Sequence, residues 1–279
     1  MPRPDDVVSA LAPAFAPVLG FRPRGLAGEH LARGVGASLE FEDRRVYAPG
    51  DDVRHVDWQV LARTGELMVR VHREEVRPRL DVLVDLSRSM GTEPEKAQAA
   101  VDLAALFLVA GEAAGWAARL LPLEPRPEPR SSLRLLSEGL DFEGDLPLAD
   151  GLLAARPRLA PGGLVVCISD FLTPDGPGLA TLATERGSVA LVQVLGPWEA
   201  DPPLGGQARL VDAEGGGHRD LTLDGGLVRA YRERLARLED QLAREARRHG
   251  MRLAQVVAGP GIETLARNSL IPAGLLQPA

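Results

Sequence analysis

Three oxygen-bearing side chains at alternate positions, Asp85, Ser87 and Ser89, lie in the stretch Leu80 to Gly91, LDVLVDLSRSMG, and point most directly to chemistry. One carboxylate and two hydroxyls make an oxygen-only donor set with a single formal charge. Such a set suits a hard cation, Mg2+ or Mn2+, that keeps several waters and takes few carboxylates. The same residue types also serve as plain caps of a helix N-terminus, because Asp and Ser accept hydrogen bonds from its first backbone N–H groups. The positioning elements lie on either side. Leu80, Val82, Leu83 and Val84 form a short apolar run that predicts a buried strand. Thr92 as N-cap, Pro94 in the first turn and Glu95 as the capping-box acid predict a helix directly after the loop. Strand, polar loop and helix make one βα unit of a parallel sheet, where ligands bind beyond the carboxyl ends of the strands.

A second apolar strand, Leu164 to Ile168, follows the turn Pro161-Gly162-Gly163 and ends in Ser169-Asp170. If the two strands are parallel neighbours, Asp85 and Asp170 reach the same end of the sheet. Two carboxylates there repel, so a cation or a basic side chain must lie between them. The arrangement strand, D-x-S-x-S-M, helix resembles the metal-ion-dependent adhesion site of von Willebrand factor A domains. Upstream, the segment Glu40 to Arg63, EFEDRRVYAPGDDVRHVDWQVLAR, is long and mixed in composition. Through it the chain resembles the bacterial domain of unknown function 58 family, whose members carry such an A-like domain. The resemblance implies Asp85, Ser87, Ser89 and Asp170 as ligands of Mg2+ or Mn2+. It also implies a threonine between Asp141 and Pro147, where the chain reads Glu143-Gly144-Asp145-Leu146-Pro147. Asp145 is the oxygen donor available in its place. For partners, the resemblance implies a MoxR-type AAA+ ATPase, with the chain as an adaptor in chaperone-like or cofactor-insertion complexes.

The expected fold is α/β, von Willebrand factor A-like over residues 80–279, with a mostly parallel sheet and helices on both faces. A helical segment (1–24) and a β-hairpin region (25–79) precede it. Val7, Val8, Leu11, Phe15 and Val18 predict a short helix broken by Pro13 and Pro17. Ser38–Tyr47 and Leu67–Val76 read as the hairpin strands, turned at Ala48-Pro49-Gly50-Asp51-Asp52, with a helical turn around Trp58 between them. Within this charged region Arg54, Asp57, Trp58 and Arg63 form either an internally paired network or a docking surface, where Trp and Arg carry disproportionate binding energy. As an anchor, Trp58 would cost about 3 kcal/mol on truncation to Ala.

Beyond the first helix, apolar nearly all round and so sandwiched in the core, further elements follow. Trp116–Leu123 is predicted as a strand, Ser131–Leu136 as an edge strand, Leu148–Leu159 as a helix and Val189–Leu195 as a strand. A small hairpin spans Gln207–Asp212 and Arg219–Leu223, and a long helix runs from its cap Asp224 to Gly250. A strand at Leu253–Val257 and a short helix at Ile262–Asn268 close the pattern.

A net charge of −7 argues against a nucleic-acid binder held by a basic field. The single cysteine, Cys167, sits in an apolar strand, which rules out a disulfide framework or a cysteine zinc site. The N-terminus has no secretory pattern, and no run reaches the ~18 apolar residues of a membrane span, so the expectation is a cytoplasmic protein without one. His30, His55, His72, His218 and His249 are scattered, and Ser87 and Ser89 lack a recognisable histidine partner. A two-metal hydrolase would want more carboxylates than Asp85 and Asp170. The expectation is therefore a non-enzymatic protein-interaction module, the alternatives being a metal-dependent hydrolase in the same crevice and a metal-independent scaffold.

Overall fold

A computed structural model describes residues 3–4, 6–18, 43–49, 51–71, 78–173, 176, 178–183, 187–212 and 217–279. The chain divides into two compact units, Met1–Arg24 together with Pro78–Ala279, and Gly25–Arg77. The first begins with helix α1 (Asp6–Leu11), a single 3-10 turn and strand β1 (Phe15–Pro17).

The smaller unit holds β2 (Asp43–Val46), α2 (Trp58–Thr64) and β3 (Met68–Val71). The strands pair antiparallel, Asp43 opposite Val71 and Val46 opposite Met68, which is the hairpin the alternation predicts. The outer parts of both predicted strands, 38–42 and 72–76, lie outside the described residues. α2 starts where the Asp57 carboxylate accepts the N–H groups of Gln59 and Val60, and it stops at Gly65, whose φ of 74° only glycine adopts freely.

In the larger unit the chain then runs β4 (Arg79–Asp85), α3 (Pro94–Ala113), β5 (Ala117–Leu123), α4 (Ser132–Glu138), α5 (Leu148–Ala155), β6 (Leu164–Ser169) and β7 (Ser188–Leu195). There follow α6 (Pro197–Ala200), β8 (Gln207–Val211), β9 (His218–Thr222), α7 (Gly225–Arg248), β10 (Arg252–Val257), α8 (Ile262–Leu265) and β11 (Leu276–Pro278). Five strands form one parallel sheet in the order β10-β7-β6-β4-β5. β4 and β6 are neighbours, Leu80 opposite Leu164 and Val84 opposite Ile168. Both are buried on both faces, which is why they read as continuous apolar runs rather than alternating ones.

α3 is covered round most of its circumference. The sheet lies on one side, and Val8, Ala12 and Phe15 of the N-terminal segment join the same core. Each leucine fully buried there contributes on the order of 1.5–3 kcal/mol relative to exposure. The N-terminal segment is tied down by a pairing that its sequence does not announce: β1 runs antiparallel to β11, Phe15 opposite Pro278. On the opposite face of the sheet, Leu152 of α5 and Leu242 and Ala246 of α7 pack with Leu83, Leu121 and Cys167.

One predicted element is corrected. Ser131–Leu136 is not an edge strand: Ser131 caps α4 by accepting the Arg134 N–H at 3.3 Å, and only Arg130 pairs antiparallel with Leu120. Leu133 is exposed and Leu135 buried, yet residues two apart in a strand must share a face.

Candidate functional site

In the sheet order the chain steps from β4 outward to β5, whereas β6 begins the run through β7 to β10 on the other side. The reversal therefore falls between β4 and β6. In open parallel sheets the ligand crevice lies at that switch point, beyond the strands' carboxyl ends. Asp85 ends β4 and Ser169-Asp170 ends β6, so the topology places both at this crevice.

Asp85 is buried and joins the two loops. Its Oδ1 accepts the Ser87 N–H at 2.9 Å, and its Oδ2 accepts the Ser169 hydroxyl at 2.7 Å. Above it, Ser87 and Ser89 are half-buried, their hydroxyl oxygens 2.9 Å apart. Asp170 is also buried; its Oδ1 accepts the Leu172 N–H at 3.1 Å. Its Oδ2 takes Lys96 Nζ at 2.9 Å.

Lys96, wholly enclosed, is the basic side chain beside Asp170; its ion pairs are with Asp170 and Glu199 and not with Asp85. Its ammonium also reaches Glu199 Oε1 at 2.6 Å and the Ser89 carbonyl at 3.0 Å, so all three donors are used. Neither Lys96 nor Glu199 was named from sequence. The available signal was a lysine in the first turn of a helix that is otherwise apolar, where the macrodipole disfavours a cation.

Burial, and then the nearby charge of Asp170, raise the Asp85 carboxyl above the usual carboxylate range. For Lys96, burial acts downward, but Asp170 and Glu199 outweigh it and its pKa lies above the ordinary lysine value. Glu199 is raised by burial, partly offset by Lys96. Cys167, in β6 beneath the site, is pushed up by burial and stays a neutral thiol. Two carboxylates, Asp170 and Glu199, pair with the one ammonium, and Asp85 lies close enough to Asp170 to feel its charge.

The expected Thr92 cap is corrected by the geometry. Glu93 occupies the N-cap position of α3 without capping it, and the Thr92 hydroxyl donates instead to the Ser89 carbonyl at 2.9 Å. Glu93 is turned to another helix, accepting the N–H of Trp198 at 3.1 Å and of Glu199 at 3.4 Å at the start of α6. Gly196 makes room for it: a Cβ there would lie 1.9 Å from Glu93 Oε1. Thus α6 is held to α3 by Glu93 and Lys96 together.

The loop bearing Asp145 runs beside the serine loop, since Gly144 bridges Ser87 and donates to the Leu86 carbonyl at 2.9 Å. A Cβ on Gly144 would meet that carbonyl oxygen at 2.8 Å. Asp145 itself is exposed and makes no hydrogen bond to Asp85, Ser87, Ser89 or Asp170. Directly after Asp170, the buried Phe171 adopts φ 53°, a region bulky residues rarely enter. Its N–H is fixed on the Ser169 hydroxyl at 3.1 Å. Gln193, one strand over, donates to the Asp170 carbonyl at 2.9 Å and completes the frame.

Among the described residues no group of three or more His, Cys, Asp or Glu side chains is placed to hold a metal ion. Hydroxyl oxygens would therefore have to supply direct ligands. The 2.9 Å between the Ser87 and Ser89 hydroxyls is a hydrogen bond, and the same separation is the edge of an octahedron with metal–oxygen distances of ~2.0–2.1 Å. The residues that would hold a hard cation are the two serines, with Asp85 and Asp170 supplying charge beside them; both Asp85 oxygens already accept hydrogen bonds, and Asp170 is paired with Lys96.

In the smaller unit, Arg54 pairs with Asp52 at 2.6 Å on the surface, Asp57 caps α2, and Arg63 is exposed. The Asp57 carboxylate accepts the Gln59 and Val60 N–H groups at 3.1 and 3.2 Å. Trp58 stands in the first turn of α2 with 62% of its surface exposed.

The sheet order and the switch-point site define a Rossmann-like α/β protein of the kind to which von Willebrand A domains belong. The chain belongs to the DUF58 family of proteins of unknown function, whose sequence profile matches residues 43–243. Uncharacterised proteins of Mycobacterium tuberculosis and Mycobacterium bovis are each 32% identical to it, over 86% of this chain and 78% of theirs. Among solved structures, the BatB protein of Bacteroides thetaiotaomicron aligns over 70% of this chain and 98% of its own, with 10% identity and a TM-score of 0.38. An aerotolerance-related membrane protein of Bacteroides fragilis aligns over 68% and 95%, with 12% identity and a TM-score of 0.35. No helix among the described residues is long and apolar enough to cross a membrane.

Proposed function

We propose that this chain is a non-enzymatic protein-interaction module whose strand-end site takes up a carboxylate of a partner protein through a bound Mg2+ or Mn2+. The partner we assign is a MoxR-type AAA+ ATPase, for which the chain acts as an adaptor in chaperone-like or cofactor-insertion complexes. The observation carrying this reading is the half-buried pair of serine hydroxyls, 2.9 Å apart above two buried carboxylates at the switch point. A cation resting there supplies an open coordination position for an acidic side chain. The chain's own residues do the rest: Asp85 locks the two loops together through Ser87 and Ser169, and Lys96 fixes the direction of Asp170. Backbone strain next to a polar crevice, as at Phe171, is typical of functional sites. Catalysis by these serines lacks support, because their hydroxyls bond each other rather than a general base.

A second reading, a metal-independent scaffold, is favoured by one feature: Lys96 already neutralises part of the carboxylate charge. Thermal unfolding with millimolar Mg2+ or Mn2+ against chelator separates the two. The metal reading expects stabilisation of the wild type that Asp85→Ala abolishes and Ser87→Ala weakens. Binding of a purified MoxR-type ATPase should be lost with chelator. Binding without any divalent dependence supports the scaffold, and no binding of the ATPase removes that partner.

A further inference from the structure

Six of the thirteen large apolar side chains exposed among the described residues fall between Trp198 and Tyr231: Trp198, Leu204, Leu210, Val211, Leu227 and Tyr231. Most of them frame one groove of about 290 Å3 between the β8–β9 hairpin and the start of α7, with α6 at its end. Its walls are nearly all carbon, formed by Trp198, Leu210, Leu221, Leu227 and Tyr231. They are also fixed in place. The Tyr231 hydroxyl donates to the Glu199 carbonyl at 2.7 Å, and Arg232 pairs with Asp201 at 2.5 Å. Apolar surface gathered in a preformed concavity, rather than scattered singly, marks an interaction site.

The surrounding charge says what fits. Arg219 lies directly across from Leu210 in the hairpin and so shares the groove face. Arg234 continues the α7 stripe of Leu227 and Tyr231 at helical spacing. Neither has an acidic partner among the described residues, Asp220 and Asp201 being taken by Arg209 and Arg232. α7 as a whole carries seven arginines against four acids in a chain of net −7. A second copy is a poor occupant, because a two-fold contact sets the same patch against itself and brings these arginines together. At about 290 Å3 the groove lies at the lower end of the ~300–1,000 Å3 of typical small-molecule sites.

We propose that this groove docks an acidic amphipathic segment of a partner protein. One or two bulky apolar side chains enter between the hairpin and α7, and flanking carboxylates reach Arg219 and Arg234, in the helix-in-groove manner. The site is separate from the strand-end serines but joined to it through Glu199, which lines the groove and holds Lys96.

The test uses the full chain and a labelled synthetic peptide with Leu and Phe at helical spacing among Glu residues, followed by fluorescence anisotropy. Two control peptides carry Lys for Glu, or Ala for Leu and Phe. Saturable binding of the acidic peptide alone is expected, weakened about tenfold or more by Leu210→Glu. Arg219→Glu with Arg234→Glu should weaken it by about tenfold and flatten its salt dependence. Leu210 is 53% exposed, so its substitution leaves the fold intact, which circular dichroism checks. Asp85→Ala should leave peptide binding unchanged, so that failure of the strand-end reading and failure of this one are distinguishable. The proposal is overturned by no saturable binding, by equal binding of either control peptide, or by indifference to Leu210→Glu. A wild-type dimer that Leu210→Glu dissolves would also overturn it, assigning the groove to a second copy.

Discussion

Replacing Lys96 by methionine removes one positive charge from a fully buried side chain while keeping most of its methylene packing. What remains is the Asp170 carboxylate, the Glu199 carboxylate and the Ser89 carbonyl, each stripped of a bond of 2.6–3.0 Å. A hydrogen bond to a charged group contributes about 1.5–3 kcal/mol, but the three act as a unit and do not add. Removing one partner of a buried pair costs about 3–5 kcal/mol, since the other charge is left in low dielectric. Because Lys96 is wholly enclosed, that range needs no discount for solvent screening, although Glu199, about 20% exposed, moderates it toward the lower end. The expected loss is therefore ~3–4 kcal/mol at pH 7.5, read from urea denaturation followed by circular dichroism. Near pH 5 the Glu199 carboxyl, its pKa raised by burial, takes up a proton more readily and the loss should shrink. In a Glu199→Gln background the loss should also fall, by ~1 kcal/mol or more. A loss under ~1 kcal/mol at pH 7.5, or an equal loss at both pH values, would refute the assignment of Lys96 as the internal cation of the site.

Other outcomes follow from the same geometry. Asp85 has its folded-state pKa raised by burial and by Asp170, so its contribution to stability is complete below the unfolded carboxyl value and declines as pH rises through the folded one. Thermal stability should thus fall on going from mildly acid to neutral pH, and Mg2+ stabilisation should grow over the same window. Asp85→Asn should flatten both profiles, and an unchanged pH dependence in that variant counts against the role given to Asp85. Gly196→Ala puts a Cβ 1.9 Å from Glu93 Oε1 and must displace the carboxylate that caps α6. Its expected cost is about 0.5–2 kcal/mol by chemical denaturation. Adding Glu93→Ala should then cost little more, whereas simple additivity would show that the two residues act separately. Trp58→Ala should change stability by no more than ~0.5 kcal/mol, because the indole is 62% exposed. A loss near 3 kcal/mol would restore the anchoring role.

The sequence by itself determined the parallel sheet and the place of its crevice. Buried strands announce themselves as short charge-free runs, so Leu80–Val84 and Leu164–Ile168 were readable, as were Asp85, Ser87 and Asp170 at their ends. The long amphipathic α7 and its Asp224 cap were readable for the same local reason. Elements whose stability comes from distant partners were not. β1 exists because β11, more than 250 residues later, lies beside it, and α4 imitated a strand because Leu133 and Leu135 alternate in sequence but not in burial. The site divides along the same line. Donor types and spacing pointed to a strand-end site, yet only the tertiary structure decided that Lys96 pairs with Asp170 there. Lys96 and Asp170 are 74 residues apart, and Glu199 lies 103 beyond Lys96. No local pattern relates the three, because an ion pair inside a protein is fixed by which helix packs over which strand end. Glu93 shows the same physics: it sits among the predicted capping residues Thr92, Pro94 and Glu95, and the fold turns it to the N-terminus of α6 instead.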